Sequence, residues 1–116
     1  MDIKSIQERL QRFADERDWE QFHSPKNLAM ALSVESSELV EHFQWLTQEQ
    51  SRELPKEKIG AVEQEIGDVF IYLMRLADKL NIDLLQAAQR KIEVNEQKYP
   101  VAKAKGNAKK YTELEK

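Results

Sequence analysis

Two apolar stripes at helical spacing, each carrying a pair of carboxylates, constrain this chain more than any other feature. Leu28, Leu32, Leu39, Phe43 and Leu46 form the first stripe; Ile59, Val62, Ile66, Val69, Leu73 and Ala77 form the second. Apolar residues recurring every three or four positions share one helix face, so each stripe predicts a long amphipathic helix with one buried side. Glu35 falls inside the first stripe and Glu38 sits at its edge, while Glu65 and Asp68 run along the flank of the second. At about 100° per residue, an i,i+3 pair projects from one side of its helix. If the stripes pack together, up to four acids face a shared, partly desolvated space. Carboxylates that close cannot all stay ionised without a counter-charge. A hard divalent cation resolves this, and Mg2+ typically takes one or two carboxylates together with waters and substrate phosphates. Glu35, Glu38, Glu65 and Asp68 are therefore candidate metal ligands, with Mg2+ the expected ion and Mn2+ an alternative.

The rest of the chain narrows the class. Its 116 residues suit one domain, small enough to gain from oligomerisation. Charged residues make up 34% and the net charge is −3, so no global field favours nucleic acid. Cysteine is absent, which excludes disulfides and thiolate sites and fits a reducing compartment. MDIKSIQERL carries charges where a signal peptide needs an apolar run, and the longest such run, VFIYLM, is too short for a bilayer. A soluble cytoplasmic protein without a membrane partner is the expectation.

In chain order, Ile3, Ile6, Leu10 and Phe13 predict a first helix over residues 2 to about 18. Trp19-Glu20-Gln21-Phe22-His23 breaks the pattern, and Ser24-Pro25 reads as an N-cap followed by proline at the first helical position. The second helix is expected to reach about Leu46, the third to run from 56 to 80 after Pro55, and the fourth from Leu84, capped by Asp83, to Tyr99. Pro100 stops it. Residues 1–100 then make the helical domain, and 101–116 a basic, extended tail. Short connections require antiparallel neighbours, giving an all-α, antiparallel four-helix bundle unit. Met30, Val40, Ile71 and Leu76 lie off the principal stripes, and burying them is the simplest reason for such units to associate.

Other residues carry less of the chemistry. His23 and His42 are possible ligands, although His42 has no second histidine at metal spacing and suits a structural role. Trp19 and Trp45 each adjoin polar residues at a helix end, where an indole either joins the core or stacks on a base. Lys91, Asn95 and Lys98 share one face of the fourth helix. Surface charge accounts for the lysines, whereas mid-helix Asn95 invites a specific hydrogen bond. There is no Gly-rich phosphate loop, no Ser/His/Asp constellation and no Cys/His cluster.

The order E-x-x-E, about 26 residues, then E-x-x-D resembles the signature of the MazG-like all-α nucleoside triphosphate pyrophosphohydrolases. ERDWEQFHSPKNL, FQWL, VFIYL, KIEVNEQKYP and KKYTEL extend the likeness along nearly the whole chain, towards the dCTP pyrophosphatase branch. Val34 stands where MazG proper usually has an additional Glu. The resemblance implies Mg2+-dependent hydrolysis of a nucleoside triphosphate to the monophosphate and pyrophosphate, in a dimer or a tetramer built as a dimer of dimers. It implies Glu35, Glu38, Glu65 and Asp68 as ligands and catalytic acids, with one of them, Glu38 for example, orienting or deprotonating the water. It also implies Lys91, Asn95 and Lys98 as substrate contacts, and Trp19, Trp45 and Tyr72 as base-pocket positions. Two other readings use the same residues: hydrolysis of a different phosphoanhydride, or a non-catalytic helical interaction module with solvated acids.

Overall fold

The computed structural model describes residues 1–114, and among them the fold is all-α. Helix α1 spans Ile3–Glu16, α2 Pro25–Glu41, α3 Gln48–Ser51, α4 Lys56–Lys79, α5 Leu84–Lys98, α6 Val101–Ala104 and α7 Tyr111–Leu114. A 3-10 turn, Glu20–Phe22, occupies the stretch between α1 and α2 where the apolar period breaks.

Local chemistry sets these limits. Asp2 accepts from the Ser5 backbone N–H at 2.8 Å and Ser5 returns the favour to the Asp2 backbone, closing a capping box at the start of α1. Ser24 caps α2 with Pro25 at its first position, and Asp83 caps α5 through the Gln86 N–H. The ends of α1 and α4 are built alike. Asp18 (φ 55°) and Asn81 (φ 56°) take the left-handed conformation just past each helix. The next residue's N–H then reaches back, Trp19 to the Ala14 carbonyl at 2.9 Å and Ile82 to the Ala77 carbonyl at 2.8 Å. Both are Schellman closures made with Asp or Asn in the position that glycine usually fills.

The described residues divide into two compact units, Met1–Ile82 and Asp83–Lys116. In the first, α4 packs mainly on α2 and also on α1. Glu38 meets Glu65, and Glu35, a turn earlier, shares a cavity wall with Asp68, a turn later, so α2 and α4 run antiparallel. Ala14, Leu28, Val62, Met74 and Ala77 form the buried apolar set.

Three expectations are corrected. Helix α2 stops at Glu41, five residues before Leu46, because the bonds tighten: Phe43 N–H reaches Val40 and Leu46 N–H reaches Phe43, both at 2.9 Å. The second stripe is not buried as a whole. Val62 and Ala77 lie in the core, but Ile59, Ile66 and Leu73, at seven-residue intervals, are left exposed by α1 and α2. The segment expected to be extended holds two single helical turns, α6 and α7; Pro100 starts the first, its carbonyl accepting from Lys103 and Ala104. Residues 115 and 116 of that tail lie outside the described residues.

Candidate active site

Glu35, Glu38 and Glu65 converge where α2 crosses α4. One carboxylate oxygen from each lies within 4.8 Å of the others. An octahedral Mg2+ at 2.0–2.1 Å from its ligands holds adjacent oxygens about 2.9 Å and opposite ones about 4.2 Å apart, so the three carboxylates would draw closer together to share one ion. Glu35 Oε2 and Glu65 Oε2 are buried without a hydrogen-bond partner among the described residues. Orphaned buried acceptors are rare in folded chains, and these are oxygens of the kind a hard cation takes. The donor set therefore fits a divalent ion.

The electrostatics point the same way. Burial raises the Glu35 carboxyl to about 7, helped by its hydrogen bond with Glu38 and by the charges of Glu38, Asp68 and Glu65. Burial also raises Glu65, followed by the charges of Glu38 and Asp68, while His42 nearby pulls it down. Among the described residues, no ion pair involves any of these acids. His42 thus lies within electrostatic reach of the cluster but is not grouped with its ligands.

Glu35 and Asp68 also line a cavity of about 250 Å3, with Leu10, Phe13, Trp19, His23, Tyr72 and Arg75 around it. The Schellman closure at Asp18 brings Trp19 back onto buried Ala14, and the Trp19 ring meets Phe13 edge-on at 5.6 Å. Two of the three candidate aromatics, Trp19 and Tyr72, therefore share a wall with two of the four candidate acids. Trp45 does not join them. It sits in the turns after α2 and is 86% exposed. Asp68 lines the cavity but lies outside the three-oxygen cluster. Lys91, Asn95 and Lys98 lie on α5 in the second unit, with Lys91 and Asn95 exposed and Lys98 half-buried. A larger, more open hollow of about 540 Å3, lined by Leu46, Glu53, Leu54, Pro55 and Lys58 among others, contains none of the candidate residues. The chemistry favours the smaller cavity.

Arg75 is the residue that pattern reading missed. It is only 2% exposed. Its Nη1 donates to Gln11 Oε1 at 2.7 Å, and its Nη2 donates to Glu20 Oε2 at 3.2 Å and to His23 Nδ1 at 3.0 Å. Gln11 Nε2 donates in turn to Asp15 and Glu20, each at 2.9 Å, and Lys79 pairs with the other Glu20 oxygen. Burial lowers the Arg75 pKa, opposed by Asp78 and Asp15, and burial followed by the Arg75 charge lowers that of His23. A signal existed: Glu65, Asp68, Tyr72 and Arg75 fall at i, i+3, i+7 and i+10 on one helix face.

The MazG-like family matches residues 30–114. dCTP pyrophosphatase 1 of Mus musculus is 47% identical over 104 residues, which is 88% of this chain and 61% of that protein. The Homo sapiens protein of the same name is 45% identical over 105 residues, again 88% of this chain and 61% of its own length. The chain thus spans about three-fifths of the curated relatives it matches. The crystal structure of a pyrophosphatase from Archaeoglobus fulgidus is 43% identical and superposes with a TM-score of 0.79, covering 84% of this chain and 91% of that one. With its paired acids on adjacent antiparallel helices, the chain belongs to the MazG-like family.

Proposed function

We propose that this chain is a divalent-metal-dependent pyrophosphohydrolase that converts a deoxynucleoside triphosphate to the monophosphate and pyrophosphate, with dCTP or a modified cytosine analogue preferred. Such an activity would clear unwanted nucleotides from the cytoplasmic pool. The observation that carries the reading is the Glu35–Glu38–Glu65 cluster, with two orphaned buried oxygens, beside an aromatic-walled cavity. The names of the relatives, dCTP pyrophosphatase 1 and a pyrophosphatase, support it.

Glu35, Glu38, Glu65 and Asp68 would hold the ion, Mg2+ in the first place and Mn2+ as a substitute. When bound, the cation supplies neutralisation of the triphosphate charge and a lower pKa for water. Glu38 is the acid we assign to orienting the attacking water, because it contacts both Glu35 and Glu65. The new P–O bond forms at the phosphorus next to the sugar, the bond to the bridging oxygen breaks, and pyrophosphate leaves with those electrons. Trp19 and Tyr72 would stack the base, worth about 1 to 3 kcal/mol per stacked ring. Lys91, Asn95 and Lys98 would contact the substrate.

We also propose that the active form is a four-helix bundle unit assembled as a homodimer or a tetramer. Two features support this: the exposed second face of α4, with Ile66 53% exposed, and the exposed Met30, Val34, Val40 and Trp45. Sedimentation at micromolar concentration should show no major monomer. Mixing Asp68→Asn with Lys91→Ala subunits should restore some activity if α5 residues serve a neighbour's site, and no recovery after confirmed exchange argues against sharing.

Anion-exchange analysis of products from a triphosphate panel with Mg2+ tests the activity. Monophosphate with pyrophosphate is expected. Diphosphate with orthophosphate would move the enzyme to another phosphoanhydride chemistry, and an unchanged panel would leave a helical interaction module.

A further inference from the structure

Trp19 stands at a short exposed turn, yet the fold ties that turn to the helix that carries half of the candidate acids. None of Glu20, Gln21 and Phe22 is buried, so burial does not hold the turn in place. Its own side-chain bonds are local: Gln21 Nε2 donates to the Asp18 carbonyl and Asn27 Nδ2 to the Phe22 carbonyl, both at 3.0 Å. The bonds that reach it from farther along the chain come from α4 and α1. Arg75 Nη2 donates to Glu20 and to His23, Lys79 pairs with Glu20, and Arg75 Nη1 holds Gln11, which itself donates to Glu20. Glu20 is the residue after Trp19, and the His23 ring lies 6.3 Å from the indole, edge-on. Arg75 therefore grips one neighbour of Trp19 in the chain and one in space. It does so from the helix that also carries Glu65, Asp68 and Tyr72, with Asp68 seven residues away, about 10 Å of helix.

We propose that Arg75 is a positioning residue for the substrate: by holding Glu20 and His23 it fixes the Trp19 ring on the wall of the cavity that Glu35 and Asp68 also line, so that one nucleotide reaches the base platform and the acids together. This rests on the reading of the cavity as a nucleotide site. Arg75 acts through Trp19, since both of its terminal nitrogens are engaged within the protein. A planar guanidinium suits the role because it holds two nitrogens in fixed directions, here one towards α1 and one towards the turn, whereas an ammonium is a single point charge on a flexible stem. Rigid placement matters because an indole that the ligand must order gives up part of its stacking energy to that ordering. The domain does not hang on this clamp alone: α1 also has Gln7 Nε2 on the Met74 carbonyl at 2.9 Å and Ala14 in the core.

The test is a double-mutant cycle on Arg75→Lys and Trp19→Ala in the intact protein with Mg2+. It reads Kd for the non-hydrolysable analogue α,β-imido-dCTP, and kcat and KM for dCTP. Arg75→Lys keeps the charge and loses the fork. It should raise Kd and KM about three- to tenfold and leave kcat within about twofold, the mark of lost binding that ground and transition states share. Trp19→Ala should raise Kd at least about fivefold. With the indole gone the clamp has nothing to place, so adding Arg75→Lys should then change Kd by less than about twofold. A merely structural role would give the same factor in both backgrounds. Glu20→Ala removes the turn's half of the clamp at a partly exposed side chain, and it replaces Arg75→Lys in the cycle if that variant does not fold. The same factor in both backgrounds, an unchanged Kd in a folded variant, or no binding of the analogue by the unmodified protein overturns the assignment and leaves the hydrolase reading standing. No turnover of any triphosphate by the unmodified protein overturns that reading and this assignment with it.

Discussion

Glu35 and Arg75 line the same cavity, yet the chain treats their charges in opposite ways. Around Arg75 the fold supplies the counter-charge and most of the acceptors: Glu20 as counter-ion, Gln11 and His23 as hydrogen-bond acceptors, and Lys79 to balance Glu20 in turn, with Nε alone of its nitrogens left without a partner among the described residues. Around Glu35 it supplies more of the same sign, with Glu38, Glu65 and Asp68 and no ion pair among the described residues. A buried charge balanced from within mainly holds structure together. A half-buried cluster left unbalanced stores repulsion that a cation from outside can relieve. The acid end is therefore where an outside cation would relieve the most repulsion, a distinction that burial alone would not make.

The largest effect expected on this contrast is on turnover. Asp68→Asn removes a charge from the unbalanced end and should cut kcat by roughly a hundredfold or more, with the helical circular dichroism unchanged. The same variant should melt at or above the unmodified protein's temperature without metal, since one like charge has gone. Near-normal turnover at saturating Mg2+ would remove Asp68 from the ligand set.

Arg75→Met attacks the balanced end and should do the reverse to stability. Removing one partner of a fully buried pair costs about 3–5 kcal/mol, and Glu20 is partly exposed, so a loss of about 2 kcal/mol in urea unfolding is expected. If Arg75→Met proved neutral while Asp68→Asn destabilised the metal-free protein, the contrast would be inverted.

The two ends should also titrate in opposite senses. Glu35 is raised to about 7, so the metal-free folded chain keeps a proton that the unfolded chain loses above about pH 4.5. That contribution is complete at acid pH and disappears as pH rises through 7. His23 is lowered, so its contribution is present above its ordinary value of about 6.5 and fades as pH falls. Melting curves from pH 4 to 8 on Glu35→Gln and His23→Phe should each lose one of these slopes, and Mg2+ should flatten the Glu35 slope alone.

The smallest expected effect concerns the loop that sets Trp19. Asp18 holds a left-handed conformation that β-branched residues adopt poorly, so Asp18→Val should cost about 1 kcal/mol or more and broaden the Trp19 fluorescence. Asp18→Gly should be neutral or slightly stabilising.

Much of this was legible in the sequence. Ser24-Pro25 and Asp83 marked two helix starts because capping is local chemistry, and the acid pairs stood out because charge inside an apolar stripe requires an explanation. What escaped notice depends on tertiary context. Arg75 looks like any surface arginine until Gln11 and Glu20, more than fifty residues away, close over it. Ile59 and Ile66 share the period of core residues, and periodicity cannot tell which side of α4 its neighbours cover. The last turns of α2 tighten after Glu41, which propensity alone does not signal.

Calorimetric titration of Mg2+ into the metal-free protein at pH 7, in buffers of different ionisation heat, tests the central claim most directly. With Glu35 near 7, binding to the acid cluster should release roughly half a proton per ion, less at higher pH and almost none in Glu35→Gln. Absence of binding, or binding whose heat is indifferent to buffer and to Glu35→Gln, would contradict a metal site at the Glu35–Glu38–Glu65 cluster.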